Sequence, residues 1–404
     1  MKRLCRGRAV RGHVVRSVFA LGVIVLAAAW TPVRASASDV RVRAILDLVF
    51  DDKGQAAEVN YLWGDNALDS YRLRLFVESA VSDRLDVFTE ALYNEDVGVL
   101  PFGAYALFHP SPGRDMHVMA GLIPWPIGTF APRANSDKNP LVGFPLQYQY
   151  HTTLSAFKLV PSADALLADA GDGEEGASYA FGSRGMPIVY DQWWDFGAVF
   201  LGSARPLEYA AGFVNGAPSW PSPGRDSTPG KSFLGRVGVA PMPGLRFGVS
   251  GSYGPYLVED AVKGSLPPGK DARDFNQVLG MADFEWSAGH VELRAEGYTN
   301  TWETPTVGDL RARGGYGELK YTLPAGFYVA GRYDIMRFSD VKDSTGTERS
   351  WDADVDRLEV GAGYRVMRGV TAKVAYQRNK IQPPDPALEA KILDIYAGQL
   401  SVSF

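Results

Sequence analysis

Stretches of about ten residues in which apolar and polar side chains alternate recur from one end of the chain to the other, and this alternation limits the fold more than any other feature of the sequence. Successive side chains of a strand point to opposite faces, so a period of two marks sheets whose faces meet different surroundings. In Tyr71-Arg72-Leu73-Arg74-Leu75-Phe76-Val77-Glu78 the odd positions are apolar, while even ones carry Arg72, Arg74 and Glu78. Glu292, Arg294 and Glu296 alternate with Val291, Leu293 and Ala295 in the same way. So does Arg365 between Tyr364 and Val366, and so does Lys373 within Val370–Tyr376. Apolar residues at helical spacing over three turns are almost absent, so the chain reads as nearly all β.

The first 37 residues have a different character. Lys2, Arg3, Arg6, Arg8, Arg11 and Arg16 precede the apolar run from Val18 to Trp30, and Ala35-Ser36-Ala37 closes it as an A-x-A peptidase site. This is the pattern of a cleaved export signal, with Ser38 as the expected mature N-terminus and 38–404 as a single barrel domain. The run is shorter than the roughly 20 residues of a membrane-spanning helix, and no later segment approaches that length. Cys5, the one cysteine of the 404 residues, lies inside the signal, so disulfides, Cys-ligated zinc and a Cys nucleophile are excluded from the mature chain. Losing the signal takes seven of the 41 basic residues and none of the 46 acidic ones, which moves the net charge from -5 to -12. An acidic chain of this kind lacks the basic excess of a nucleic-acid binder. Periplasmic, secreted and outer-membrane proteins remain.

Connection lengths narrow the choice. Strands are predicted at 40–50, 70–80, 83–93, 98–108, 115–123, 187–202, 206–214, 232–240, 245–254, 275–286, 289–300, 313–323, 326–338, 355–367, 370–378 and 391–404, sixteen in all. An eighteen-strand variant has an extra hairpin within 147–157. Tight turns rich in Gly and Pro fall at Ser82-Asp83, Ser203-Ala204-Arg205, Pro241–Gly244, Ala288-Gly289, Pro324–Gly326 and Arg368-Gly369. The alternate connections are longer: 51–69, 124–186, 215–231, 255–274, 301–312, 339–354 and 379–390. An even strand count, short turns on one rim and long loops on the other is the plan of a transmembrane antiparallel up-and-down barrel.

A soluble sandwich or propeller would also show regular strands. Against it, Phe50, Tyr71, Tyr93, Phe108, Trp194, Tyr209, Phe247, Tyr253, Trp286, Tyr321, Phe327 and Tyr376 sit at strand ends on the apolar face, where a membrane interface favours aromatics. The opposite face is charged on strand after strand, and burying so many ions would cost several kcal/mol apiece, so these residues are expected to face water. The expected lumen-facing set includes Arg72, Arg74, Arg84, Glu78, Asp86, Glu90, Arg236, Arg246, Glu292, Arg294, Glu296, Arg332, Arg365 and Lys373. Its signs nearly cancel and leave ion selectivity open.

The last strand presents Tyr396, Leu400, Val402 and a terminal Phe404 on one face. Here the sequence resembles bacterial outer-membrane barrel proteins, in which such a strand is the sorting signal read by the barrel-assembly machinery. The architecture further resembles general porins, whose loop after the fifth strand folds into the lumen as a constriction. The segment at that place, Ile123-Pro124-Trp125-Pro126-Ile127-Gly128-Thr129-Phe130-Ala131-Pro132-Arg133, is similar to one in the phosphate-selective porin superfamily. The general-porin motif Pro-Glu-Phe-Gly-Gly does not occur. Trp125, Phe130, Arg133, Lys138, Tyr148, Tyr150 and His151 are therefore the candidate constriction residues, and 124–186 the candidate constriction loop. The later acids Asp164, Asp169, Asp172, Glu174 and Glu175 are expected to oppose Arg72, Arg74 and Arg84 across the pore.

The resulting expectation is a passive outer-membrane porin for small hydrophilic solutes or ions, touching lipid, needing no cofactor and binding no nucleic acid. The resemblance implies a homotrimer and a Gram-negative outer membrane. The alternatives are an outer-membrane hydrolase or a non-channel adhesive barrel. His109, His117, His151 and His290 show no G-x-S-x-G partner, no i,i+4 spacing and no clustered carboxylates, so neither a catalytic triad nor a zinc site is expected.

Overall fold

The computed structural model describes residues 39–51, 71–94, 98–111, 113–168, 170, 185–190, 194–224 and 226–404. The expected export signal, most of the 51–69 connection and the acids Asp169, Asp172, Glu174 and Glu175 lie outside them.

The chain runs through β1 (Val40–Asp51), β2 (Tyr71–Ser82), β3 (Leu85–Asn94), β4 (Gly98–Phe108) and β5 (Met116–Pro124) before the long connection. It continues through β6 (Trp194–Ala204), β7 (Leu207–Val214), β8 (Ser232–Met242), β9 (Leu245–Pro255), β10 (Asn276–Ala288) and β11 (Val291–Thr304). β12 (Gly308–Thr322) and β13 (Phe327–Phe338) follow. A small hairpin, β14 (Asp340–Lys342) with β15 (Glu348–Ser350), precedes β16 (Asp354–Met367), β17 (Val370–Gln382) and β18 (Lys391–Ser403). Sixteen of these strands form one closed antiparallel barrel, with β13 pairing β16 past the hairpin and β18 pairing β1 to shut the wall. Closure satisfies every edge, the condition for a sheet surrounded by hydrocarbon.

The alternation sorts side chains as a lipid-facing wall requires. Along β17, Val374 is 62% exposed on the outside, whereas its neighbour Lys373 is 4% exposed on the inside. On β13, Val329, Tyr333 and Ile335 face out while Arg332, Asp334 and Met336 are buried within. Phe50, Tyr71, Phe108, Phe247, Tyr253, Trp286, Tyr321 and Phe327 are all exposed. Trp194 departs from the expected aromatic rim. Its indole turns inward against Phe88 and Tyr105, both at 6.2 Å between centroids, because Gly103 leaves room that a Cβ would fill at 2.7 Å from the ring.

Three further expectations are corrected. The 301–312 connection is a three-residue turn, since Trp302, Leu310 and Ala312 all face the core and extend the alternation of both strands beyond the predicted ends. The 339–354 connection contains the β14–β15 hairpin. The additional hairpin at 147–157 is absent: Leu146–Gln149 is one helical turn, so the barrel has sixteen strands.

Candidate functional site

The lumen differs most from expectation. The inward charges do not generally meet water: Asp47, Glu90, Asp283, Glu296, Glu318, Arg332, Asp334, Arg357, Glu359 and Lys373 are buried. The segment after β5 crosses the lumen and supplies partners to Glu296, Asp334, Arg357, Glu359 and Lys373, while Glu90, Asp283, Glu318 and Arg332 pair with other ions of the wall, which offsets their desolvation.

The crossing begins at Pro124. Trp125, Ile127 and Phe130 are buried, and Gly128 adopts φ +63°, with an added Cβ falling 2.7 Å from Glu296 Oε1 and 2.9 Å from the Tyr148 hydroxyl. This tight approach aims two successive amides at one carboxylate. Glu296 on β11 accepts from the Thr129 and Phe130 amides, the Gln147 side chain at 2.9 Å and the Tyr148 hydroxyl at 2.8 Å. Burial and the adjacent Glu296 hold the Tyr148 phenol well above its usual range, so it stays a donor. Phe130 packs on Tyr148 at 5.1 Å and on Phe144 at 5.4 Å.

The chain then reaches the far wall. Lys373 of β17 donates to the carbonyls of Ser136 and Asn139 and to Gln399, while Ser136 bonds Ser401 of β18 and Arg43 of β1 pairs Asp137 at 3.2 Å. Returning, the Gly143 amide donates to Glu359 at 2.9 Å and the Leu146 amide to Asp334 at 3.0 Å. Arg332 sits among Glu318, Asp334 and Glu359, and Arg357 donates to the Phe144 carbonyl and to Gln149. Asp352, beyond β15, accepts from the Thr153 amide at 2.7 Å and the Tyr150 hydroxyl at 2.9 Å. Burial pushes its carboxyl up to about 6. A segment that leaves β5 and is bonded to β1, β11, β13, β16, β17 and β18 spans the barrel interior.

At the long-loop end, the apolar cluster joins Trp302, Met336 and Val355 of the wall to Tyr148, Ile188, Tyr256, Val262 and Trp351 of the connections. At the short-turn end lies a cavity of about 1140 Å³, lined by Arg133, Arg205, Glu208, Arg246, Glu285, Glu292 and Arg294 among others. Its ions interlock: Arg133 with Glu285, Arg246 with Glu208 at 2.9 Å, and Arg294 with Glu292 and, at 3.3 Å, with Glu318. A second, much smaller space of about 10 Å³, roughly one water in size, lies between the crossing segment and β1, β2 and β18. Its lining includes Asp47, Arg72, Arg74, Asn135, Asn139 and Gln399.

The remaining sequence candidates fall as follows. Arg74 pairs Glu90 at 2.7 Å, Arg236 pairs Asp283, and Glu78 and Arg365 are exposed on the inward register. Arg84 is not on the wall, because it occupies the tight turn after β2. Asp164 does not oppose the arginines: it accepts from the Ser344 amide at 2.9 Å, at the β14–β15 hairpin. Lys138 is exposed and reaches the Pro132 carbonyl, and His151 contacts the Gly185 carbonyl at 2.7 Å. Tyr396, Leu400 and Phe404 are exposed on the outer face of β18, with Val402 half-buried beside them. Sequence reasoning missed Glu318, Asp334, Arg357 and Glu359 as anchors of the crossing segment, and it missed carboxylates beside the histidines. Asp86 lies 2.9 Å from His109, and Asp115 lies 2.6 Å from His117.

A closed sixteen-stranded barrel with a long connection after the fifth strand drawn across its lumen is a porin-type barrel. No family model matches the chain, and no curated protein does. Solved structures share its fold. OmpT of Vibrio cholerae, an outer membrane protein solved in trimer form, matches at TM-score 0.52 and 11% identity over 91% of this chain and 100% of its own. The anion-selective porin from Comamonas acidovorans matches at 0.54 and 11%, over 91% and 100%. Salmonella typhi OmpF in complex with daunomycin matches at 0.55 and 10%, over 90% and 97%.

Proposed function

We propose that the chain is an outer-membrane porin: a passive channel for small hydrophilic solutes and ions, located in the outer membrane of a Gram-negative bacterium, exported by the 1–37 signal and assembled as a homotrimer. The observation that carries this reading is the segment 125–153, pinned across a barrel whose outer face is apolar and whose short-turn end holds a wide, charged vestibule of about 1140 Å³. A lumen narrowed from one side while the other end stays wide and polar suits selection of small solutes during diffusion. Four arginines against three glutamates line the vestibule, which gives small anions a modest advantage. Tyr396, Leu400, Val402 and Phe404 serve as the sorting signal for the barrel-assembly machinery. No cofactor takes part.

The hydrolase reading has one observation in its favour, the Asp-His pairs on β3–β5. At these pairs the serine is not set against a histidine, because the Ser203 hydroxyl donates to Asp115. Planar-bilayer recording of the refolded barrel decides. Stepwise ohmic currents support the channel. Silence in the bilayer together with ester or peptide turnover in detergent supports the hydrolase, and silence in both assays favours an adhesive barrel.

A further inference from the structure

Near the short-turn rim, on the inward register of four neighbouring strands and their turns, five side chains form an unbroken polar chain. Asp86 lies 2.9 Å from His109 Nε2, His109 Nδ1 lies 2.6 Å from His117 Nδ1, and His117 Nε2 lies 2.6 Å from Asp115. Ser203 donates to the other Asp115 oxygen and also lines the vestibule. The imidazole side chains remain 20% and 22% exposed, so the pair is reachable from water.

Tautomer logic makes this arrangement unusual. An ionised carboxylate only accepts, so each Nε2 facing an aspartate must carry the hydrogen. Asp115 also accepts from the Ser203 hydroxyl on its other oxygen, so it stands as an acceptor toward His117. With both Nε2 atoms protonated, both Nδ1 atoms present lone pairs, and these lone pairs face each other. Two acceptors in contact require a cation between them. A divalent metal ion is one such cation.

We propose that His109 Nδ1 and His117 Nδ1 bind a borderline divalent transition metal ion at the mouth of the lumen. Imidazole is the ligand type that such ions prefer. A carboxylate on the remote ring nitrogen is the usual support of a ligating histidine, and here both rings have one. Tetrahedral coordination at about 2.0–2.1 Å places the two nitrogens about 3.3 Å apart, so the pair opens by less than about 1 Å. Among the described residues no group of three or more His, Cys, Asp or Glu converges as a closed metal site would. The site is therefore open, with two protein ligands, water in the remaining positions and exchange with the vestibule. Asp86 and Asp115 act as positioning residues.

The test uses the refolded full-length barrel in detergent and needs no current, so it stands or falls apart from the channel reading. Titration with Zn²⁺ is expected to show one ion bound per chain. Affinity is expected to fall at least about 100-fold in His117→Gln and about 10–100-fold in Asp86→Asn. Absence of Zn²⁺ binding to the wild-type barrel overturns the proposal, as does unchanged affinity in folded His109→Gln/His117→Gln. Should that double variant fail to fold, Cu²⁺ bound to the wild-type barrel decides: electron paramagnetic resonance showing coupling to two imidazole nitrogens supports the site, and a spectrum without nitrogen coupling overturns it.

Discussion

Two residues show how a single atom can set the state of the lumen. Gly128 combines a left-handed φ with a position against Glu296 where no Cβ fits. Gly128→Ala is expected to cost about 1–2 kcal/mol for the backbone conformation alone, and more for the displaced carboxylate. A lower urea midpoint for loss of the heat-modifiable, folded gel band is the check. Asp352 offers a pH-dependent counterpart. Its carboxyl, pushed up to about 6 by burial, favours the protonated form in the folded protein. Stability from this group is therefore full below the unfolded carboxylate range near 4 and is lost as pH rises through about 6. The difference between about 6 and the unfolded carboxyl corresponds to roughly 3 kcal/mol. Wild-type urea midpoints should decline from pH 4 to pH 7 relative to those of Asp352→Asn. Parallel midpoint curves would show that burial does not penalise this carboxylate.

At the scale of elements, the long connection behaves as part of the wall. Glu296→Gln keeps the shape at β11 but removes the charge that gathers donors from Thr129, Phe130, Gln147 and Tyr148. Hydrogen bonds to a charged group are worth about 1.5–3 kcal/mol each, so the variant should loosen the crossing segment without opening the barrel. The expected result is noisier single-channel current, and deletion of 129–176 is expected to raise mean conductance. Equal conductance in the deletion would mean that the segment does not obstruct the pathway. These contacts also mark the limit of what the sequence made legible. The strands were readable because a period of two is a local property, enforced residue by residue by lipid on one side. The resemblance to porins already placed Trp125, Phe130, Tyr148 and Tyr150 in the segment expected inside the lumen. Its partners were hidden, since Glu296 lies 167 residues from Thr129 and nothing local pairs them. For the same reason the charged faces of β12, β13 and β16 read as wetted although they are buried, and His109 and His117 read as isolated although Asp86 and Asp115 flank them.

For the whole molecule, the charge balance has to be assessed where water remains rather than over the full inward face. The buried inward ions hold the crossing segment, as Lys373 does among backbone carbonyls, or hold one another, as Arg332 does among three carboxylates. In the proposed channel, permeating ions would meet the vestibule, where Arg133, Arg246 and Arg294 are each tied to a glutamate and Arg205 adds a further positive charge in the turn after β6. Screening in physiological salt acts over about 8 Å, so these rim charges dominate the field that an entering ion meets. Arg205 and Arg246 line the cavity without anchoring the crossing segment, so their replacement spares the fold. Arg205→Glu/Arg246→Glu changes the vestibule from four positive and three negative groups to two positive and five negative. Under a salt gradient, the wild-type reversal potential is expected to carry the sign of a modest anion preference, and the double variant the opposite sign with conductance changed less than about twofold. A reversal potential unmoved by the double substitution would place the selective element elsewhere, at the narrow space beside Arg72 and Arg74, where the crossing segment meets β1 and β2.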